Sequence, residues 1–266
     1  MAPAGLTIRR EAGCFKVPLF EEMNLCASWT TREHDLGLKA WGRAAALRRL
    51  GIDAKRLVCP LQVHADRIAA VGRRQRGRGS QGRPTVLPAT DALITNTAGT
   101  ILSVLTADCL PVFLATARGP AAAGLVHAGW RGLEKGIVAK TVRRMIQKYG
   151  VEAAGLVAVL GPAIRPCCYE VSESFLSAFP VSAQRRNGKV TMDLAAEAAR
   201  QLLTAGVPSN RIFDSKLCTR CCSHLFYSYR REGEQAGRSL STLEILERPG
   251  QGALPLAPKH VKIGKP

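Results

Sequence analysis

Two apolar runs, joined by Ala107-Asp108-Cys109, constrain this chain more than any other feature. Leu105–Arg131 reads LTADCLPVFLATARGPAAAGLVHAGWR. Runs this short and this continuously apolar suit strands covered on both faces. Each carries unusual polar chemistry at one end: Asp108-Cys109 before the second run, and His127-Ala128-Gly129-Trp130-Arg131 after the third, Ala121–His127. A further strand-like run upstream ends at Leu61-Gln62-Val63-His64.

His64, Cys109 and His127 are therefore candidate metal ligands. Imidazole nitrogen and thiolate hold zinc well, and a catalytic zinc keeps three protein ligands and one open position. Ligands at strand ends are held rigidly beside a cleft. The separations of 45 and 18 residues match no compact zinc motif, so spacing leaves open the alternative of two turn histidines and a buried thiol. Asp108 can act as a proton-transfer group in the same cleft, or simply bond nearby backbone N–H groups as a turn carboxylate. The corner His127–Gly132 leads into a helix. Its N–H groups and the Arg131 fork suit an anion such as phosphate, and an ordinary strand–turn–helix corner is the alternative.

Nine cysteines include the vicinal pairs Cys167-Cys168 and Cys221-Cys222. Vicinal cysteines fit a disulfide framework poorly and point to buried thiols or ligands in a reducing compartment. Cys218, Cys221 and Cys222, in CxxCC spacing, could join Cys167 and Cys168 in a second, four-thiolate site. Small buried cysteines are the alternative. The N-terminus lacks the apolar segment of a secretion signal, and no run is long enough to span a bilayer. A cytoplasmic protein is expected. The net charge of +18 permits non-specific attraction to nucleic acid. Its densest cluster, Arg73, Arg74, Arg76, Arg78 and Arg83, lies among Gly, Ser, Gln and Pro. No aromatic is interleaved for base stacking, so this segment reads as a mobile, solubilising loop. There is no P-loop and no Ser nucleophile elbow.

Along the chain, residues 38–50 suit a helix stopped by Gly51. Arg56–His64 reads as a strand weakened by Pro60. Asp91–Thr95, Thr100–Thr106, Leu110–Ala115, Ala121–His127 and Leu156–Leu160 read as strands. Leu133–Tyr149 shows helical spacing with a basic wet face and Gly150 as its stop. Ser172–Phe179 suits a short helix, Asp193 a cap for a helix over Leu194–Ala205, and Leu225–Tyr229 a strand. No linker divides the chain. One mixed-sheet α/β domain over residues 1–250 is expected, with 251–266 as a flexible tail.

Taken together, LQVH at 61–64, TADCLPV at 106–112, HAGWRG at 127–132, GPAIRPCCYEV at 161–171 and FYSYRREG at 226–233 resemble the laccase-domain family. These are multicopper polyphenol oxidase-like proteins regarded as purine nucleoside phosphorylases with adenosine deaminase activity. The resemblance runs from about Asn24 to Leu246. It implies an α/β sandwich of cysteine-hydrolase-like type. It also implies zinc on His64, Cys109 and His127, and a catalytic set of Asp108, Cys109 and Arg131. Arg43 and Arg131 would bind substrate or phosphate. The family's Asn-Arg helix motif is here Trp41-Gly42-Arg43, and the glycine usual after QVH is Ala65. A positive φ at Ala65 would cost roughly 1 kcal/mol. The implied partners are purine nucleosides and phosphate, and methylthioadenosine is a further implied substrate. Two alternatives use the same cleft. One is a copper-dependent polyphenol oxidase, against which stands a total of five histidines. The other is a peptidoglycan-precursor editing hydrolase. A nucleic-acid-binding module is the alternative from charge.

Overall fold

The computed structural model describes residues 6–37, 43–79 and 86–247. The proposed tail and Arg83 lie outside these residues. The strands are β1 (Arg9–Glu11), β2 (Cys14–Lys16), β3 (Leu25–Thr30), β4 (Leu57–Val58), β5 (Ile68–Ala70), β6 (Ala92–Thr95), β7 (Ile101–Thr106), β8 (Leu110–Thr116), β9 (Ala123–Ala128), β10 (Leu156–Leu160), β11 (Ala183–Arg186), β12 (Lys189–Met192), β13 (Ile212–Asp214) and β14 (Ser239–Ile245). The helices are α1 (Pro18–Glu21), α2 (Arg43–Arg49), α3 (Trp130–Glu134), α4 (Ile137–Tyr149), α5 (Ser174–Ala178), α6 (Leu194–Thr204) and α7 (Tyr229–Glu232).

Two mixed six-stranded sheets form, in the orders β1-β2-β3-β14-β7-β4 and β13-β10-β8-β9-β6-β5. Their facing side chains make one core: Trp29, Leu102, Val104 and Leu243 from the first meet Leu93, Phe113, Leu125 and Val159 from the second. The other face of the second sheet, through Ile94, Val112, Leu114 and Val126, is covered by Ile137, Val138, Val142 and Met145 of α4 and by Ala198 and Leu202 of α6. The sheet is thus buried on both sides, which explains why β8, β9 and β10 are apolar throughout rather than alternating.

The chain changes sheets at the segment that first drew attention. β7 belongs to one sheet and β8 to the other, so Ala107-Asp108-Cys109 is the crossing. Asp108 takes φ 92 there, a left-handed turn. Strand pairing then gathers the site. In the β6–β9–β8 array Ala92 pairs with Val126, and Pro111 with His127. Asp91, His127 and Cys109, at or just beyond these strand ends, therefore share one edge of the sheet.

Several expectations need correction. Arg56–His64 is a strand only at Leu57–Val58. Beyond Pro60, which has no N–H to give a ladder, the Gln62 side chain bonds both Leu105 N and Leu105 O at 2.8 Å. It replaces strand pairing with a side-chain clasp. The helix expected over Leu133–Tyr149 begins earlier, at Trp130, and is broken by Gly136 at φ 74. Leu225–Tyr229 is not a strand. α7 starts at Tyr229, capped by the Ser228 hydroxyl accepting from Arg231 N. Strand β14, at the centre of the first sheet, was not anticipated. The helix expected over 38–50 is described only as α2, and Asp193 caps α6 as expected by accepting from Ala195 N and Ala196 N. The Arg-rich segment is tied down over 73–79: Arg76 donates to Thr100 Oγ1 and Ala98 O, and the Arg78 carbonyl accepts from Cys59 N.

Candidate metal centre and cleft

His64 and Cys109 meet directly, with Nε2 and Sγ 3.7 Å apart. The His64 and His127 rings stand edge to face with centroids 4.9 Å apart. One donor atom from each of His64, Cys109 and His127 lies within 4.8 Å of the other two. A tetrahedral ion with bonds of about 2.0–2.3 Å separates its ligand atoms by roughly 3.3–3.8 Å, so this set fits a single ion of the zinc type. Gly129 leaves the space for that approach. A Cβ there would sit 2.9 Å from His64 Cδ2 and 3.0 Å from Cys109 Sγ.

The residue that organises the set is Asp91, which is wholly buried. Its Oδ1 receives His127 Nδ1 at 2.8 Å and His64 N at 3.0 Å, and its Oδ2 receives Val63 N and Ala65 N. One carboxylate therefore orients the His127 ring, leaving Nε2 to face the cleft, and shapes the backbone turn that carries His64. Burial pushes Asp91 up, but the His127 bond and the Ala65 and Val63 N–H groups outweigh it and hold the carboxyl below its ordinary value. Burial likewise opposes the Cys109 thiolate, yet the charge and hydrogen bond of His127, then those of His64, bring the thiol down to about 6. His127, pushed down by burial, is pulled up to about 9 by Cys109 and Asp91. Each of the two groups thus favours the charged form of the other.

The strain expected at Ala65 falls one residue earlier: His64 has φ 58, while Ala65 is not in the left-handed region. The three N–H bonds to Asp91 over Val63–Ala65 hold that turn.

A cleft of about 980 Å³ opens over the three ligands, lined also by Gln62, Asp108, Trp130, Arg131, Tyr169, Tyr229, Arg230 and Arg238. The Arg131 guanidinium lies 4.4 Å over the Trp130 ring and that of Arg230 lies 5.2 Å over Tyr169. Asp108 reaches the cleft but also binds its far wall: Oδ1 accepts from Thr219 Oγ1 at 2.6 Å, and Oδ2 from Arg230 N at 2.7 Å and Ser228 Oγ at 3.1 Å. Arg43 is not brought to the cleft. Only 5% exposed, it turns to Cys59 Sγ at 3.1 Å, and among the described residues its Nε and Nη1 have no partner.

The sequence matches the family described as multi-copper polyphenol oxidoreductase laccase over residues 5–245. The chain belongs to this family. It is 35% identical over 201 residues to purine nucleoside phosphorylase YlmD of Geobacillus stearothermophilus, covering 72% of this chain and 73% of that one. It is 34% identical over 211 residues to adenosine deaminase RL5 of an unknown prokaryotic organism, covering 75% of this chain and 79% of that one. The crystal structure of Geobacillus stearothermophilus YlmD superposes with a TM-score of 0.85 at 30% identity, covering 91% of this chain and all of that one. The architecture that superposes on it is a single mixed α/β unit.

Within this laccase-family cleft, sequence reading missed Asp91, Tyr229 and Arg230. Asp91 opens a short apolar strand, where a charged residue at the edge of a buried run is a usable signal. Tyr229 and Arg230 stand more than 100 residues beyond Asp108, and nothing local joins them to it. Gly129→Ala is expected to push His64 and Cys109 apart. Because Gly129 has an ordinary φ of −78, the change adds no backbone strain. Metal affinity should fall by roughly 10–100-fold, read by competition with a chromophoric chelator, with little change in Tm.

Proposed function

We propose that this chain is a zinc-dependent purine nucleoside phosphorylase acting on inosine, adenosine and guanosine. At the same cleft it would carry adenosine deaminase activity and accept methylthioadenosine. The carrying observation is that the His64–Cys109–His127 set lies at the base of a cleft bearing both flat aromatic surfaces and two arginines clamped on aromatic rings. The similarity to proteins named purine nucleoside phosphorylase and adenosine deaminase supports this reading.

His64, Cys109 and His127 would hold the ion, which when bound supplies Lewis acidity and polarises water or a substrate atom. The chain's own residues do the rest. Tyr229, exposed at the cleft, offers a face for a purine ring. Arg131 and Arg230, held by their aromatic contacts, offer planar forks for phosphate. In phosphorolysis the C1′–N9 bond breaks as a phosphate oxygen bonds C1′, and the purine leaves with a proton. Positioning phosphate on the arginines supplies most of the advantage. In deamination water adds at C6 and ammonia leaves, so protons must move from water to the leaving nitrogen. Asp108 is the group for this. Its carboxylate has about four acceptor positions and three are filled, so Oδ1 keeps one open.

Asp108→Asn tests that role. The new amide can donate to Thr219 Oγ1 while the carbonyl keeps the bonds to Arg230 N and Ser228, so stability should change by less than about 1 kcal/mol. kcat should fall by roughly 10²–10⁴-fold. The reading as a whole is tested with inosine. Hypoxanthine and ribose 1-phosphate should appear together and only with phosphate, and full hypoxanthine release in phosphate-free buffer would refute phosphorolysis. Elemental analysis beside Cys109→Ala decides zinc against copper, by which metal the variant loses.

A further inference from the structure

Outside the cleft, four cysteines from two distant parts of the chain converge. Cys221 Sγ stands 3.3 Å from Cys168 Sγ and 3.6 Å from Cys167 Sγ. All four sulfurs of Cys167, Cys168, Cys218 and Cys221 lie within 4.8 Å of one another. We propose that these four thiolates bind one structural divalent ion of the zinc type, at a site separate from the His64–Cys109–His127 centre.

The spacing selects a single ion. Tetrahedral bonds of about 2.3 Å to sulfur put ligand sulfurs roughly 3.8 Å apart. An iron–sulfur cluster interposes several atoms and spreads its cysteines further. A disulfide would join only two of the four, and Cys167 and Cys168 would compete for the same Cys221. Convergence of all four is what one ion needs. Four protein ligands fill the tetrahedron, so the site has no open position and its role is structural.

Local backbone supports the same reading. Cys218-Thr219-Arg220-Cys221 has the spacing in which one turn delivers two thiolates. Arg220, between Cys218 and Cys221 in the chain, brings a permanent positive charge to the cluster. That charge offsets part of the excess negative charge of four thiolates on a divalent ion. The vicinal partner Cys222 takes no part. It packs against the inter-sheet core, as a small apolar residue does.

The site's position gives it a function. Ala163 and Cys218 form a parallel bridge, with Thr219 N donating to Ala163 O at 3.1 Å. The 161–171 segment also carries Tyr169, and the 217–231 segment carries Thr219, Ser228 and Arg230, the three partners of Asp108. An ion between them clamps the two strips of chain that wall the cleft, while the cleft's own ligands lie on other elements.

The test uses the full chain carrying His64→Ala and Cys109→Ala, so that the cleft cannot contribute, stripped of metal under reducing conditions. Added cobalt(II) should produce sulfur-to-cobalt charge-transfer absorption and the intense visible bands of a tetrahedral site. These should saturate near about one equivalent and be bleached by zinc. Adding Cys221→Ser or Cys218→Ser should remove most of this absorption, and Cys222→Ser should leave it intact. Bands that survive Cys221→Ser, or no charge-transfer absorption in a chain of native circular dichroism, would overturn the proposal. A second measurement needs no variant at these cysteines. Zinc should shield Cys167, Cys168, Cys218 and Cys221 from iodoacetamide in peptide mapping, and a chelator should expose them. Equal labelling with and without zinc overturns the proposal, as does a Cys168–Cys221 disulfide in protein isolated under reducing conditions. Because the cleft ligands are absent from the main experiment, failure of the nucleoside reading does not touch this one.

Discussion

Cys109→Ala should strip the cleft of its ion and lower nucleoside phosphorolysis by roughly a thousandfold, about 4 kcal/mol of transition-state stabilisation. Cys109 supplies the only thiolate of the set, and two imidazoles alone bind zinc far more weakly. The fold should tolerate the change. Cys109 is half-buried at the sheet crossing, its sulfur faces the two histidines, and after its truncation the buried His127 keeps its Asp91 partner. His127→Ala would be a poorer test, because it strands the buried Asp91 carboxylate. The measurements are metal content per chain and kcat/KM for inosine on the same preparation. Undiminished metal in the cleft of the variant would refute the ligand assignment. If the four-thiolate site is also occupied, Cys109→Ala lowers the total by about one equivalent and leaves about one.

Asp91→Asn is expected to be the most damaging single change outside the ligands. Both oxygens of Asp91 accept, and together they take four N–H donors. An amide can match only one of the two oxygens. Its NH2 must then face either the N–H groups of Val63 and Ala65, or His64 N and His127. Burying opposed donors in this way costs about 3–5 kcal/mol. Releasing the His127 ring and the His64 turn should weaken metal binding by a further 10–100-fold or so. Chemical denaturation and chelator competition measure the two effects separately. A variant with native stability and native metal affinity would show that Asp91 neither orients His127 nor holds the His64 turn.

Much of this was legible in the sequence wherever the signal is local. Continuous apolar runs marked β6 and β8 to β10, because a sheet covered on both faces leaves no solvent side to alternate with. Asp193 and Gly150 marked helix ends, because caps act within one turn. The motifs around Leu61–His64, Asp108-Cys109 and His127–Gly132 named the three ligand candidates. The failures are equally physical. The strand expected beyond Pro60 gives way to a Gln62 clasp on Leu105, a partner 43 residues away. The helix expected from Leu133 is cut by a left-handed Gly136. Arg43, which the resemblance assigns to substrate or phosphate, is buried against Cys59.

By itself, the sequence determined the residue types that can hold an ion, the family, and a mixed α/β architecture. Each of these rests on periodicity or on motifs a few residues long. Only the tertiary structure decided which groups act together. The β6–β9–β8 register sets Asp91 beside His127. The crossing at Ala107-Asp108-Cys109 brings Asp108 to Thr219, Ser228 and Arg230, and the Ala163–Cys218 bridge gathers four thiols from segments about fifty residues apart. Strand pairing couples residues by position across a sheet rather than along the chain, so no local pattern could carry that information.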